Sequence, residues 1–341
     1  MPVFNVQKYI RSSLSSVLRQ DFPNIEILII DDKGTDGSME IVKELMSLDT
    51  KGNLIRIIEH PNNMGTGAAR NTAIENCTGN FLFFMDSDDE LEPNCIRLLY
   101  DKMVEHPVDF VAASHVRRDT YGNISEGFSY EARMIEGHLS LASYVFIENG
   151  KFDMPLWNKL FDVNFLREFH LRCNPAHILE DMIFSYQLFL TARSCQLIPE
   201  VTYVYRFLNP TSSMNVNLKD GVSRRVAGEF VDYIDFKKQL SQQFQYEPHI
   251  YKYLIKDILC DSVKRSKGIF FSKMINRKEK REYITSIAKF DYKWSDICDL
   301  SVVFKFYYLF GHFPYYLKRF NLLAIDCLIR LARVFNLREQ V

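Results

Sequence analysis

Apolar positions Val6, Ile10, Leu14, Val17 and Leu18 recur at the spacing of one helix face behind Asn5, a plausible cap, so a helix is expected first. Residues 26–30 form a short β-branched run between Pro23-Asn24 and Asp31-Asp32, which is the pattern of a buried strand. The alternation continues with a helix over 38–48, a strand over 54–58, a helix over 66–76 and a strand over 81–85. A helix over 93–104, with Pro93 near its start, and a strand over 109–113 follow. Strands alternating with helices in this way predict an α/β fold with a mostly parallel sheet flanked by helices. Residues 120–150 are polar and contain Gly122, Gly127 and Gly137, so they read as loop and turns leading to a helix near 138–148. A helix over 178–191 and a strand over 201–207 complete the alternating region. From about residue 215 the chain reads as helical, aromatic and basic, so a boundary is placed between 1–214 and a helical extension, 215–341.

Charge adds a second asymmetry. The formal net charge is −1, yet residues 251–341 hold 18 Lys and Arg against 9 Asp and Glu, which leaves the first 250 residues strongly acidic. An acidic body fits cation binding, and a basic tail fits an anionic surface. Seven cysteines never fall in C-x-x-C spacing, so neither a disulfide framework nor a zinc site is indicated and a reducing cytoplasm is expected. The longest apolar stretch, 301–317, is broken by Lys305, His312 and Pro314 and is too short to span a bilayer.

The candidate chemistry lies at residues 81–89, where Phe-Leu-Phe-Phe-Met runs straight into Asp86, Ser87, Asp88 and Asp89. Sites in open α/β sheets lie at the carboxyl ends of strands, and Asp31-Asp32 falls at such an end as well. Carboxylates there suit a hard cation such as Mg2+ or Mn2+ bridging to a pyrophosphate. The alternative is an acidic loop that only caps the next helix.

Six motifs then occur in order: Pro2-Val3-Phe4-Asn5, residues 31–38 (Asp-Asp-Lys-Gly-Thr-Asp-Gly-Ser), Ala68-Ala69-Arg70-Asn71, Asp86-Ser87-Asp88-Asp89, residues 157–161 (Trp-Asn-Lys-Leu-Phe) and Glu180-Asp181. In this order they resemble the family 2 glycosyltransferases, inverting enzymes of the GT-A fold, over about residues 2–214. The resemblance implies that Val3, Asn5, Asp32, Arg70 and Asp86 hold the nucleotide, with Asp32 accepting from the uracil ring and Asp86 on the ribose. It implies Asp88 as the ligand of Mn2+ or Mg2+ and Asp181 as the general base that takes the acceptor's proton. Trp157, Lys159 and Glu180 fall on segments that wall the donor and acceptor sites, and Arg206 precedes a loop, 212–214, expected to close over the diphosphate. The implied reaction moves a sugar from a nucleotide donor, expected to be UDP-linked, to a hydroxyl of a glycan or lipid-linked acceptor.

Three departures from the family pattern bear on these expectations. The apolar run that normally precedes Pro-Val-x-Asn is missing, so the first, central strand is expected to be absent and the natural start to lie upstream of Met1. Its loss would leave backbone groups unpaired at on the order of 1 to 3 kcal/mol each if buried. Lys33-Gly34 sets a cation beside the base and ribose, and Ala73 stands where Gly is frequent.

In the tail, Lys264, Arg265, Lys267, Lys273, Arg277, Lys278, Lys280 and Arg281 surround Ile269, Phe270, Phe271 and Met274, and a helix over 322–335 has a wide apolar face. Either peripheral contact with the inner face of the plasma membrane or packing against protein is expected, and nucleic acid is not. The rival readings are a non-catalytic remnant that binds a partner or membrane, and a sugar nucleotidyltransferase, which would need a Gly-rich phosphate loop that the chain lacks.

Overall fold

The computed structural model describes residues 1–174, 178–207, 221–298, 300, 304–305 and 307–309. The chain divides into two compact units, Met1–Ser212 and Ser213–Val341.

In the first unit, β1 (Pro2–Val3), β2 (Ile27–Asp31) and β3 (Ile55–Glu59) form a small parallel sheet. All five residues of β2 are buried, because helices cover both faces and the strand has no solvent side. The helix expected from residue 6 begins later, as α1 (Ile10–Leu18). Residues 5–7 commit themselves elsewhere: Asn5 sits at φ 52° with its Oδ1 accepting from Thr35 N at 2.7 Å, and Val6 N donates to Ser38 Oγ at 2.9 Å. Then α2 (Ser38–Leu48) and α3 (Thr66–Asn76) occupy the expected residues.

A second sheet has seven strands, with β4 (Phe81–Phe83), β9 (Lys159–Asp162), β6 (Phe110–Arg118), β10 (Ser194–Arg206) and β5 (Glu90–Leu91) in that order. It is mixed, since β6 and β10 are parallel while β9 runs antiparallel to both β4 and β6. Between β5 and β6 lies α4 (Cys95–Glu105). The stretch expected to be loop carries two strands, β7 (Ile124–Phe128) against β6 and β8 (Arg133–Glu136) against β10. Their residues are largely exposed, as outer strands with one wet side, so they lack the apolar run that marked the inner strands. A short α5 (Ser140–Ala142), α6 (Val163–Glu168) and α7 (Glu180–Thr191) complete this unit. Two cores flank the strands: Leu28, Ile30, Phe84, Phe161 and Phe184 with α3 on one side, and Ile27, Ile29, Leu14, Leu99 and Leu160 on the other.

The second unit contains α8 (Arg224–Gln242), α9 (Pro248–Phe271) and α10 (Arg277–Ile287). Ser223 caps α8 by accepting from Val226 N, and Asn276 with Glu279 forms a capping box on α10. Within the basic segment Ile269 is buried in the core, while Phe271 and Met274 are exposed beside Lys273, Arg277 and Lys278. Among the described residues no helix is long and apolar enough to cross a membrane. The expected loop at 212–214 and helix at 322–335 lie outside the described residues.

Candidate active site

At the carboxyl end of β2, Asp32 is buried and turned inward. Its Oδ1 accepts from His60 Nδ1 at 2.7 Å and from Met64 N at 2.8 Å, and its Oδ2 accepts from Gly65 N at 2.9 Å. His60 is fixed in turn by Thr72 Oγ1 at 2.9 Å. Asp32 thus holds the turn that leads into α3, and only Oδ2 keeps a free lone pair for a base. Asp31 receives Lys33 N at 2.9 Å, and Lys33 Nζ reaches Glu59 at 2.6 Å, so the unusual cation is paired across β2 and β3. Val3 is buried, with its carbonyl accepting from Asp32 N at 3.0 Å. Asn5 packs on Gly34, where a Cβ would come within 2.8 Å of Asn5 N, so the loop needs glycine for this approach.

The acidic turn after β4 is held by β10. Tyr203 donates its hydroxyl to Asp89 Oδ2 at 2.8 Å and accepts from Asp86 N at 3.3 Å. Arg206 closes the turn three times: its N donates to Asp89 Oδ1 at 2.7 Å, its Nε to Asp88 O at 2.9 Å and its Nη2 to Glu90 Oε1 at 2.8 Å. Burial, then the neighbouring Asp88 and Asp86, pushes the Asp89 carboxyl well above the ordinary carboxylate range. Asp89 is therefore the internal anchor, while Asp86 and Asp88 are half-buried at the surface of the site.

Arg70 joins the segments. Its guanidinium, 3% exposed, donates Nη2 to Asp86 Oδ1 at 2.8 Å and Nη1 to Glu180 Oε1 at 2.9 Å. One planar fork thereby ties the turn after β4 to the start of α7, where Glu180 lies 110 residues from Arg70 in sequence. The next residue strengthens the same joint, because Asn71 exchanges two bonds of 2.8 Å with the backbone of Cys173. Burial and the neighbouring Asp181 raise the Glu180 carboxyl to about 7, and burial raises Asp181 against the pull of Arg70. Asp181 is half-buried in the first turn of α7, where its Oδ1 accepts from Met182 N at 2.8 Å.

Trp157 is buried, stacked on Tyr203 at 4.6 Å and on Tyr205 at 5.4 Å between ring centroids. Lys159 is buried too, with Nζ donating to Pro155 O at 2.6 Å, and desolvation lowers its pKa to about 8. The fold therefore brings Arg70, Asp86 and Glu180 together, with Asp181 close enough to feel Arg70 and Asp86, and Asp88 follows Asp86 by two residues on the same turn. Asp32, Val3 and Asn5 form the neighbouring loop, and Trp157 and Lys159 stand in the packed wall behind.

Residues 1–138 match the family model "Glycosyl transferase family 2". Those residues carry that family's domain. Glycosyltransferase GlyA of Streptococcus pneumoniae is 30% identical over 220 residues, which cover 60% of this chain and 30% of GlyA. Over 115 residues, 34% of this chain and 44% of the relative, the chain is 30% identical to WfgD of Escherichia coli. That relative is named UDP-Glc:alpha-D-GlcNAc-diphosphoundecaprenol beta-1,3-glucosyltransferase. The matched segments span less than half the length of these two relatives. The crystal structure of S. aureus TarS 1-349 with UDP-GlcNAc superposes with a TM-score of 0.56 at 16% identity, covering 91% of this chain and 77% of that one. The family 2 domain thus has the GT-A fold, with a helical unit following it.

Three residues of this domain escaped sequence reasoning: His60 behind Asp32, Asn71 beside the α7 entry and Tyr203 under the acidic turn. Asn71 lies inside a quoted motif, whereas His60 and Tyr203 belong to no local pattern, and only their partners reveal them.

Proposed function

We propose that the protein is an inverting glycosyltransferase of the hexosyl type, which moves a sugar from a UDP-linked donor to a hydroxyl of a lipid-linked or polysaccharide acceptor. The observation that carries this reading is the Arg70 fork, because it holds the strand-end carboxylates and the α7 carboxylates around one site. Asp181, half-buried and raised by burial, accepts the acceptor hydroxyl's proton as that oxygen attacks the anomeric carbon from the face opposite the nucleotide. A single displacement of this kind inverts the anomeric centre. Asp86 and the loop carrying Val3, Asn5 and Asp32 orient the nucleotide, Arg206 keeps the acidic turn in place, and Trp157 and Lys159 support the sugar-facing wall.

Among the described residues no three His, Cys, Asp or Glu side chains converge on one point. A hard cation that takes one or two protein carboxylates and completes its shell with phosphate oxygens and water still fits the half-buried Asp86 and Asp88. Asp88 would hold the Mn2+ or Mg2+, which when bound would offset charge on the departing diphosphate.

A UDP donor is supported by the fold shared with TarS, and a lipid-linked acceptor by the sequence likeness to WfgD. The exposed Phe271 and Met274 among lysines and arginines support peripheral contact with the cytoplasmic face of the membrane. The test is UDP release with a panel of lipid-linked acceptors, comparing the natural protein with Asp181→Asn. Loss of the base should reduce turnover by about 10²- to 10⁴-fold while the melting temperature holds. Equal turnover in both proteins would refute the assignment of Asp181, and no turnover with any acceptor or UDP-sugar would favour the non-catalytic reading.

A further inference from the structure

Next to the acidic turn, the second sheet carries a face that the proposed chemistry leaves unused. Phe128, His115 and Tyr203 lie opposite one another across β7, β6 and β10, and in the next row Arg117 lies opposite Tyr205. Side chains two residues apart along a strand share a face, so the two rows stand side by side. Trp157 closes the inner end, because it stacks on Tyr203 and Tyr205 and meets the His115 ring edge-on at 4.7 Å between centroids. It also forms a parallel bridge with Phe84, which brings this aromatic group alongside the chain that runs into Asp86.

The inner part of this face is fixed. His115 Nδ1 lies 3.1 Å from Asp153 Oδ2, its ring stacks on Phe128, and Gly127 passes so close that a Cβ there would come 2.5 Å from His115 Cδ2. The outer part is open, since Tyr205 and Phe128 are half-buried and Arg117 is exposed. Two consecutive arginines differ here. Arg118, on the opposite face, pairs with Glu90 at 2.7 Å beside Arg206, whereas Arg117 makes no ion pair among the described residues. Burial, and then Asp89, Asp88 and Asp86, push the Tyr205 hydroxyl up to about 12, with Arg117 acting against them. The Tyr205 ring thus lies between the acidic turn and an unpaired cation.

We infer that Arg117, with the rings of Tyr205 and Phe128 beside it, is a subsite for an oxyanion carried by the acceptor, a phosphate or a carboxylate on its sugar or on its lipid link. The inference rests on the proposed transfer reaction and names the chemical class of its second substrate. A guanidinium offers paired N–H groups that match either oxyanion, and a neighbouring aromatic ring offers an apolar surface to a sugar. The donor's diphosphate is served elsewhere in that reading, by Asp88 with its cation and by Asp86 and the Asp32 loop, whereas Arg117 belongs to the second sheet. An acidic body repels an anionic acceptor, so one unpaired cation at the rim decides where the acceptor's charge comes to rest.

The test is calorimetric titration of the full chain, with UDP present, using three soluble probes: an alkyl GlcNAc diphosphate, an alkyl glucuronide and an uncharged alkyl GlcNAc glycoside. At least one anionic probe is expected to bind about tenfold or more tightly than the uncharged one, and the probe that does so tells phosphate from carboxylate. Arg117→Gln should abolish that preference while leaving the uncharged probe, the UDP affinity and the melting temperature unchanged, and Arg117→Lys should keep part of it. Equal binding of all three probes to the natural protein, binding of none, a preference that survives Arg117→Gln, or a UDP affinity that falls with it would each overturn the subsite. Titration reads binding alone, so absent sugar transfer with the preference intact would count against the reaction and not against the subsite.

Discussion

Each unit of the molecule buries one cation between two carboxylates, and the two arrangements differ in what surrounds them. In the C-terminal unit Lys237, 2% exposed, contacts Asp257 and lies 2.7 Å from Asp261, while Tyr233 donates to the same Asp261 oxygen at 2.7 Å. Arg265 stands near and stacks on Phe230 and Tyr233, so two cations face two carboxylates. Although burial pushes it up, Lys237 holds the Asp261 carboxyl below its usual range, while burial raises Asp257. In the N-terminal unit a single Arg70 faces Asp86 and Glu180, with Asp181 adjoining, and both Glu180 and Asp181 are raised. A balanced cluster is complete in itself and acts as structure. A cluster with surplus carboxylate at its half-exposed edge keeps a base and a cation ligand in waiting.

The sharpest way to break this contrast is Lys237→Met, which leaves two half-buried carboxylates facing each other. The variant should lose about 3–5 kcal/mol of stability in urea unfolding of the second unit. An unchanged midpoint would mean that the cluster is not structural.

Arg70→Lys should act on turnover instead. An ammonium cannot fork between Asp86 and Glu180, so one charge-assisted bond is lost, with about a 10- to 100-fold fall in rate and a small shift in melting temperature. A rate equal to that of the natural protein would show that the fork does not organise the site.

The smallest effect is a pH dependence. The folded-state pKa of Glu180 stands at about 7 against an ordinary 4.5, so the folded chain binds the proton more tightly than the unfolded one. Its contribution is therefore most favourable below 4.5 and is lost as pH rises through 7. Glu180→Gln keeps a bond acceptor for Arg70 without titrating. The melting-temperature difference, variant minus natural protein, should grow between pH 4.5 and 7 and then level off. A difference independent of pH would remove the raised carboxyl from the account.

Much of the first unit was legible in advance. The residues of α2 and α3 are those expected, because each begins after a glycine-containing turn and carries a clear helical run. β6 and β10 run longer than expected, since pairing with each other extends them beyond the apolar stretches that flagged them. β7, β8 and β9 were not read as strands. β7 and β8 have wet faces, and β9 lies in a short motif whose residues suggested a site wall rather than a ladder.

The site divides in the same way. Its carboxylates were visible because charge at the end of an apolar run is a local pattern, but the partners that decide what each carboxylate can do were not. Asp32 looked like a ligand for the base and proves to be mostly occupied by His60, Met64 and Gly65. Asp89 ends the same acidic run as Asp86 and Asp88 and is the buried anchor of their turn.

The amino-acid order alone determined where charge meets apolar strand, which helices are amphipathic and that strand and helix alternate over about the first 115 residues, because these depend on neighbours a few positions apart. Only the tertiary structure decided that Arg70 reaches both Asp86 and Glu180 and that Tyr203 anchors Asp89. Those facts depend on contacts between segments far apart in sequence, and no local periodicity encodes which distant groups a fold brings within a hydrogen bond.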